Sequence, residues 1–224
     1  MKTRKGVKTL LAMKTFDSRQ NWLDARKNLI GGSDAASILG LSPWKNNVEL
    51  WEEKTGRRET EDISDKTAVR FGTEAESHLR ELFKLDFPQF EVRYMENNMF
   101  LNDTYPWAHA SLDGWLKDKE GRAGILEIKT TTIQNYASVK KWENKIPDNY
   151  YCQILHYFLV TGFDFAIVKA RLKFDFENPY CQIRHYRIER QECENDIILL
   201  MDAERRFAEN IKNDIRPSLL LPEI

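Results

Sequence analysis

The segment Gly124-Ile-Leu-Glu-Ile-Lys129 sets a glutamate and a lysine two residues apart in an otherwise apolar run. A short, dense apolar run of this kind reads as a strand buried on both faces. Side chains alternate across a strand, so Glu127 and Lys129 share one face while Leu126 and Ile128 occupy the other. An unpaired carboxylate and an unpaired ammonium are each expensive in a central strand unless a metal ion or a partner compensates them. Whatever the chain folds into, it must build a compensating polar arrangement over that face.

Upstream, Ser111-Leu-Asp113-Gly114 reads as a second strand segment in which Ser111 and Asp113 share a face. Carboxylates on adjacent strands suit a hard divalent ion. Magnesium in particular takes an octahedral shell of oxygens, keeps several waters, and binds through one or two carboxylates plus substrate phosphate oxygens. Lys129 beside them would orient or deprotonate an attacking water and balance charge at phosphorus, which is the chemistry of phosphodiester hydrolysis. An aspartate followed by Glu-x-Lys is a weak signal alone, and it also fits a surface strand with an ordinary ion pair.

Helices contribute further candidates. On the helix expected after a cap at Asp65, from Lys66 to about Phe87, Ala75, Leu79, Leu82 and Phe83 form an inward stripe; Glu76 falls at its edge, while Glu74 and Glu81 point away. Glu76 is thus an inward acid, or a boundary residue reaching for water. After Pro147, Tyr151, Leu155, Phe158 and Leu159 make an apolar face, and Tyr150, Gln153 and Tyr157 align on another, either covered by the site or solvated. Near the start, Ser18 caps a helix carrying Trp22, Ala25, Arg26 and Leu29, and Gly31-Gly32 ends it before Ser33 opens a short helix. Arg26 with Gly31-Gly32-Ser33 makes a candidate phosphate contact, since glycines allow close approach and a helix start presents free N–H groups. A plain helix cap accounts for the same residues. His78, His109, His156 and His185 have no ligand spacing and read as structural.

Composition narrows the class rather than the function. With 42% apolar and 31% charged residues in 224, the chain has material for a full core. A net charge of -1 neither supports nor excludes nucleic acid, because a local basic groove and an acidic metal site cancel in the sum. Cys152, Cys181 and Cys193 lack any C-x-x-C pairing, which argues against a disulfide framework, a zinc site or an iron–sulfur cluster and fits a reducing cytoplasm. No apolar run is long enough for a membrane span. Residues 1–16 read as a ragged basic leader, and 17–224 as a single domain: a helical part over 17–90, an α/β core over 91–190 and a C-terminal helix over 190–212.

Taken in order, Ile30-Gly-Gly-Ser-Asp-Ala-Ala-Ser-Ile-Leu-Gly-Leu-Ser-Pro-Trp44, Glu49-Leu-Trp-Glu-Glu-Lys-Thr-Gly56, Phe71-Gly-Thr-Glu-Ala-Glu76, Ser111-Leu-Asp-Gly114, Leu126-Glu-Ile-Lys129 and Tyr150-Tyr-Cys-Gln153 resemble the YqaJ-type viral recombinase family. That family is a lambda-exonuclease-like branch of the PD-(D/E)xK nucleases. The resemblance runs from about Trp22 to Leu159 and implies an α/β fold, a mixed central sheet flanked by helices. It implies a Mg²⁺-dependent 5′-to-3′ exonuclease that degrades one strand of linear duplex DNA, leaving 3′ tails for recombination by single-strand annealing. Mn²⁺ is an expected substitute.

Carried over by motif, Asp113, Glu127 and the Ile128 carbonyl would hold one ion, Glu76 would help with a second, Lys129 would activate water, and Gln153 would support that site. A 5′-phosphate pocket would fall on Arg26, Ser33 and Ser111. The family pattern also has an arginine shortly after the E-x-K strand, but Thr130 to Val139 contains neither arginine nor lysine, and Lys140 and Lys141 are the first cations. The expected partners are double-stranded DNA ends, an annealing protein and further copies in a homotrimeric ring. The expected setting is the cytoplasm of a bacterial host, with the chain encoded by a phage or prophage. An endonuclease of the same fold and a catalytically silent DNA-binding scaffold are the rival readings.

Overall fold

The structure, a computed structural model, describes residues 11–176 and 179–220. Its helices are α1 (Arg19–Arg26), α2 (Gly32–Ile38), α3 (Asn47–Lys54), α4 (Thr67–Asp86), α5 (Tyr136–Lys140), α6 (Asp148–Thr161) and α7 (Glu194–Lys212). Its strands are β1 (Leu11–Thr15), β2 (Glu91–Arg93), β3 (Asn98–Asn102), β4 (His109–Ala110), β5 (Gly114–Lys117), β6 (Ala123–Ile133), β7 (Phe165–Phe174) and β8 (Tyr180–Glu189).

Local chemistry sets most boundaries. The Ser18 hydroxyl accepts the Asn21 amide at the start of α1. At α3, the Asn46 side chain accepts the Val48 and Glu49 amides while the Glu49 carboxylate accepts the Asn46 amide, a reciprocal capping box. Gly162, in the left-handed region at φ 67°, ends α6. Two starts differ from expectation. Gly31 rather than Ser33 caps α2, with the Asp34 carboxylate accepting the Gly31 amide, so Ser33 lies inside the first turn. Lys66 rather than Asp65 precedes α4 and makes no side-chain cap bond.

Among the described residues the strands form two sheets. One has the order β1-β3-β4 and is antiparallel; the other has the order β2-β5-β6-β7-β8, with β6 and β7 parallel and the other neighbours antiparallel. The parallel pair is joined through α5 and α6, the kind of crossover that parallel strands require. The segment read as a basic leader is partly structured. Leu11–Thr15 pairs with β3, which supplies an open edge that local sequence does not reveal, while residues 1–10 lie outside the described residues.

Helices cover both faces of the larger sheet. Leu79 and Phe83 of α4 pack on Leu126 and Ile128 of β6 and Phe165 and Ile167 of β7. On the opposite face Ile125, Ala166, Val168 and Ala170 meet Ile154, Leu155 and Phe158 of α6, with Ile197 and Leu200 of α7 behind them. Phe83 is fully buried, and its truncation to alanine would cost about 3–5 kcal/mol. Strand β6 thus lies between α4 and α6, the buried central position its sequence predicts. No helix among the described residues is long and apolar enough to cross a membrane.

Candidate active site

Alternation along β6 turns Glu127 and Lys129 toward α6, where Gln153 meets them. The Lys129 ammonium lies 2.6 Å from Glu127 Oε1 and donates to Gln153 Oε1 at 2.9 Å; Gln153 Nε2 donates to Glu127 Oε1 at 2.8 Å and to the Tyr157 hydroxyl at 2.7 Å. Gln153 therefore locks the acid and the base of the strand with one amide. Its neighbour Tyr157 is buried rather than solvated, which settles how the polar face of α6 is covered.

Asp113 arrives differently from expectation. Residues 111–113 form a link between β4 and β5 rather than a strand, because the Asn98 side chain both donates to the Leu112 carbonyl and accepts the Leu112 amide, at 2.9 Å each, in place of a neighbouring strand. Ser111 and Asp113 are therefore not placed by strand alternation. The Asp113 carboxylate is fixed by accepting the Ile128 amide at 2.8 Å, and the Asp113 carbonyl accepts from Arg80 Nη1 at 2.6 Å.

The electrostatics are unfavourable in the state described. Burial, then the charges of Glu127 and Glu76, push the Asp113 carboxyl well above the usual carboxylate range. Burial also raises Glu127, although Lys129 pulls it back. Burial works against the Lys129 ammonium, but Glu127 and Asp113 outweigh it and raise its pKa. Glu127 Oε2 is buried with no hydrogen-bond partner, whereas buried polar atoms normally have one. Mutually repelling carboxylates with an orphaned oxygen form the hard donor set that suits a divalent cation.

Glu76 is near enough for its charge to act on both acids, but its Oε1 accepts from Arg80 at 2.8 Å. Glu74 and Glu81 are exposed, as helix phase predicts. Among the described residues no three His, Cys, Asp or Glu side chains are gathered tightly enough to hold a metal. Asp113 and Glu127 fit such an ion as a carboxylate pair, whereas Glu76 is held by Arg80.

Arg26 lies with its guanidinium 4.2 Å from the centre of the Trp22 ring, and Trp22 Nε1 donates to Ser111 Oγ at 3.2 Å. Trp22 thereby brings Arg26 and Ser111 onto one patch, while Ser33 is exposed in the first turn of α2. Lys140 and Lys141 end α5 and are exposed. Two glycines shape this corner. A side chain on Gly31 would meet His109 Nε2 at 2.8 Å, and one on Gly32 would meet Tyr157 Cε1 at 2.6 Å and Gln153 Cγ at 2.9 Å. They allow α2 to lie directly on the site. Arg80, Trp22 and Tyr157 were not singled out as site residues from sequence; the Trp22–Arg26 spacing of four on one helix was the available signal.

With Glu127 and Lys129 on its central strand and helices on both faces, the larger sheet builds a mixed α/β fold. An alkaline exonuclease (LHK-Exo) from Laribacter hongkongensis shares the fold with a TM-score of 0.63 at 19% identity, over 88% of this chain and 94% of that one. A structure of LHK-Exo in complex with dAMP matches with a TM-score of 0.60 at 18% identity, over the same shares. The chain belongs to the YqaJ-like viral recombinase domain family, whose model matches residues 21–164. It is 36% identical over 154 residues to the uncharacterized protein YqaJ of Bacillus subtilis (strain 168), a stretch covering 68% of this chain and 46% of that protein. The chain thus matches just under half the length of that relative.

Proposed function

We propose that this domain is a Mg²⁺-dependent deoxyribonuclease, acting as a 5′-to-3′ exonuclease on one strand of linear duplex DNA. The observation that carries this reading is the convergence of Asp113, Glu127, Lys129 and Gln153 in one buried constellation with an unsatisfied carboxylate oxygen. Family membership and the shared fold of an alkaline exonuclease support it.

Asp113, Glu127 and the Ile128 carbonyl would hold Mg²⁺, or Mn²⁺ in its place, with Glu76 contributing to a second ion. Such ions supply Lewis acidity at the phosphoryl oxygens and lower the pKa of a bound water. The chain's own groups do the positioning. Lys129, held between Glu127 and Gln153, orients the attacking water and places positive charge beside the phosphorus as negative charge accumulates there. Gln153 keeps that ammonium in place, and Tyr157 keeps Gln153 in place. Arg26, Ser111 and Ser33 would receive a 5′-phosphate, with the guanidinium set by its stacking on Trp22.

The products would be mononucleotides and a 3′ single-stranded tail for homologous recombination. This reading extends to an annealing protein as the receiver of the tail, to a homotrimeric ring around the duplex, and to the cytoplasm of a bacterium carrying a phage or prophage. Linear duplex and covalently closed circular DNA test it together. Degradation of the linear form alone is expected; cutting of the closed circle would make the chain an endonuclease.

A further inference from the structure

The loop between α2 and α3 carries Trp44, which is 72% exposed, an unusual position for the largest apolar residue. Its surroundings hold it firmly. The Ser42 hydroxyl accepts the amides of both Trp44 and Lys45, the Lys45 ammonium is paired with Glu53, and Asn46 caps the next helix. Neither loop entropy nor a free local cation therefore explains the exposed indole.

Its direction is informative. The Trp44 ring lies 6.3 Å from the Tyr150 ring, Tyr150 lies 5.6 Å from Trp142, and the Lys129 ammonium sits 4.7 Å from the centre of the Tyr150 ring. An aromatic wall thus runs from buried Trp142 through Tyr150, over the Lys129 ammonium, to the open face of Trp44. A strand whose phosphate reaches Lys129 carries its bases within range of that wall. Every base has a π-face, and stacking on an aromatic side chain holds a strand without regard to sequence.

We propose that Trp44 is a base-stacking residue, receiving a nucleobase of the DNA strand that enters the site. The proposal rests on the nuclease reading above and names the part of the substrate that this surface binds. A rigid indole suits the task, because little side-chain freedom is lost when the base arrives.

The test reads binding without hydrolysis. The full chain carrying Asp113→Asn is mixed with short linear duplexes bearing 2-aminopurine at successive positions from the 5′ end, and fluorescence and anisotropy are followed. Binding is expected to quench one position near the end. Adding Trp44→Ala should abolish that quench and weaken binding about tenfold, whereas Trp44→Phe should retain most of both. Unchanged quenching and affinity in Trp44→Ala would overturn the stacking role alone and leave the indole to some other partner, such as a protein. Failure of the Asp113→Asn chain to bind any duplex end would instead count against the nuclease reading, and against the stacking role with it.

Discussion

The Asp113 carboxylate accepts the amide of Ile128 at 2.8 Å, so the acid on the link is bonded to the strand residue that separates Glu127 from Lys129. That bond uses an oxygen acceptor but not a negative charge. Asp113→Asn keeps the acceptor and removes the charge whose burial, and then whose repulsion by Glu127 and Glu76, drives the Asp113 carboxyl upward. Without divalent cations the variant should melt higher than the wild type by a few degrees, about 2–4 °C for each kcal/mol at this chain length. Added Mg²⁺ should raise the wild-type midpoint through linkage and leave the variant's unmoved. Scanning fluorimetry in chelator and in Mg²⁺ checks both, and a lower midpoint in chelator would contradict the electrostatic account.

Gly32 tests the dependence of the site on close helix packing. A methyl group there lies 2.6 Å from Tyr157 Cε1 and 2.9 Å from Gln153 Cγ, so both must move. Gly32→Ala should cost about 1–3 kcal/mol and sharply reduce hydrolysis. Gln153→Ala should reduce hydrolysis comparably with a smaller stability loss. Urea unfolding alongside a nuclease assay separates the two effects.

Arg80 is almost wholly buried, pairs with Glu76, donates to the Asp113 carbonyl and lies 3.5 Å from the Tyr94 ring centre. Arg80→Ala leaves a partly buried carboxylate and a carbonyl without their donor and is expected to destabilise by about 3 kcal/mol. Arg80→Lys restores the charge but not the planar stacking, and should recover only part of that loss. Equal stability of all three proteins would show that the contact is incidental.

His156 and Glu204 give a pH dependence of defined sign. Both side chains are fully buried; His156 Nδ1 lies 2.7 Å from Glu204 Oε1 and Nε2 lies 2.8 Å from the His109 carbonyl. With an acceptor at each ring nitrogen the imidazolium satisfies both, and although burial lowers its pKa, Glu204 and the His109 carbonyl outweigh this and raise it. Neighbouring His109 is driven down to about 2, by burial first and then by Arg26, and stays neutral. The folded-state value of His156 thus exceeds the unfolded one, near about 6.5. The stabilisation is complete below that value and is lost as pH rises through the raised folded value. Urea midpoints measured upward from pH 6 should fall for the wild type and be flatter for His156→Gln, which is also expected to be less stable by about 3–5 kcal/mol at pH 6. Parallel profiles would remove His156 as the source.

Much of this site could be read locally. The period of two along Ile125–Lys129 put Glu127 and Lys129 on one buried face, and helix phase chose Glu76 over Glu74. Both arguments depend only on neighbours in sequence. What was not legible depends on distant groups. Asp113 is held by Asn98 on one side and Ile128 on the other, so no alternation within Ser111–Gly114 could have placed it. Arg80 looks like any helix cation until Asp113 and Glu76 are beside it, and Trp22 links Arg26 to Ser111 only through a hydrogen bond across 89 residues. Strand β1 exists because β3 offers an edge, not because Leu11–Thr15 alternates strongly.

Exonuclease action at Asp113, Glu127 and Lys129 is tested most sharply on linear duplex DNA labelled at its 5′ or 3′ ends, with and without a 5′-phosphate, in Mg²⁺. Early release of 5′-end nucleotides is expected from the wild type, with none in chelator and none from folded Asp113→Ala or Lys129→Ala proteins. Undiminished degradation by both variants would contradict the assignment of the site, and release from the 3′ end first would contradict the direction assigned to it.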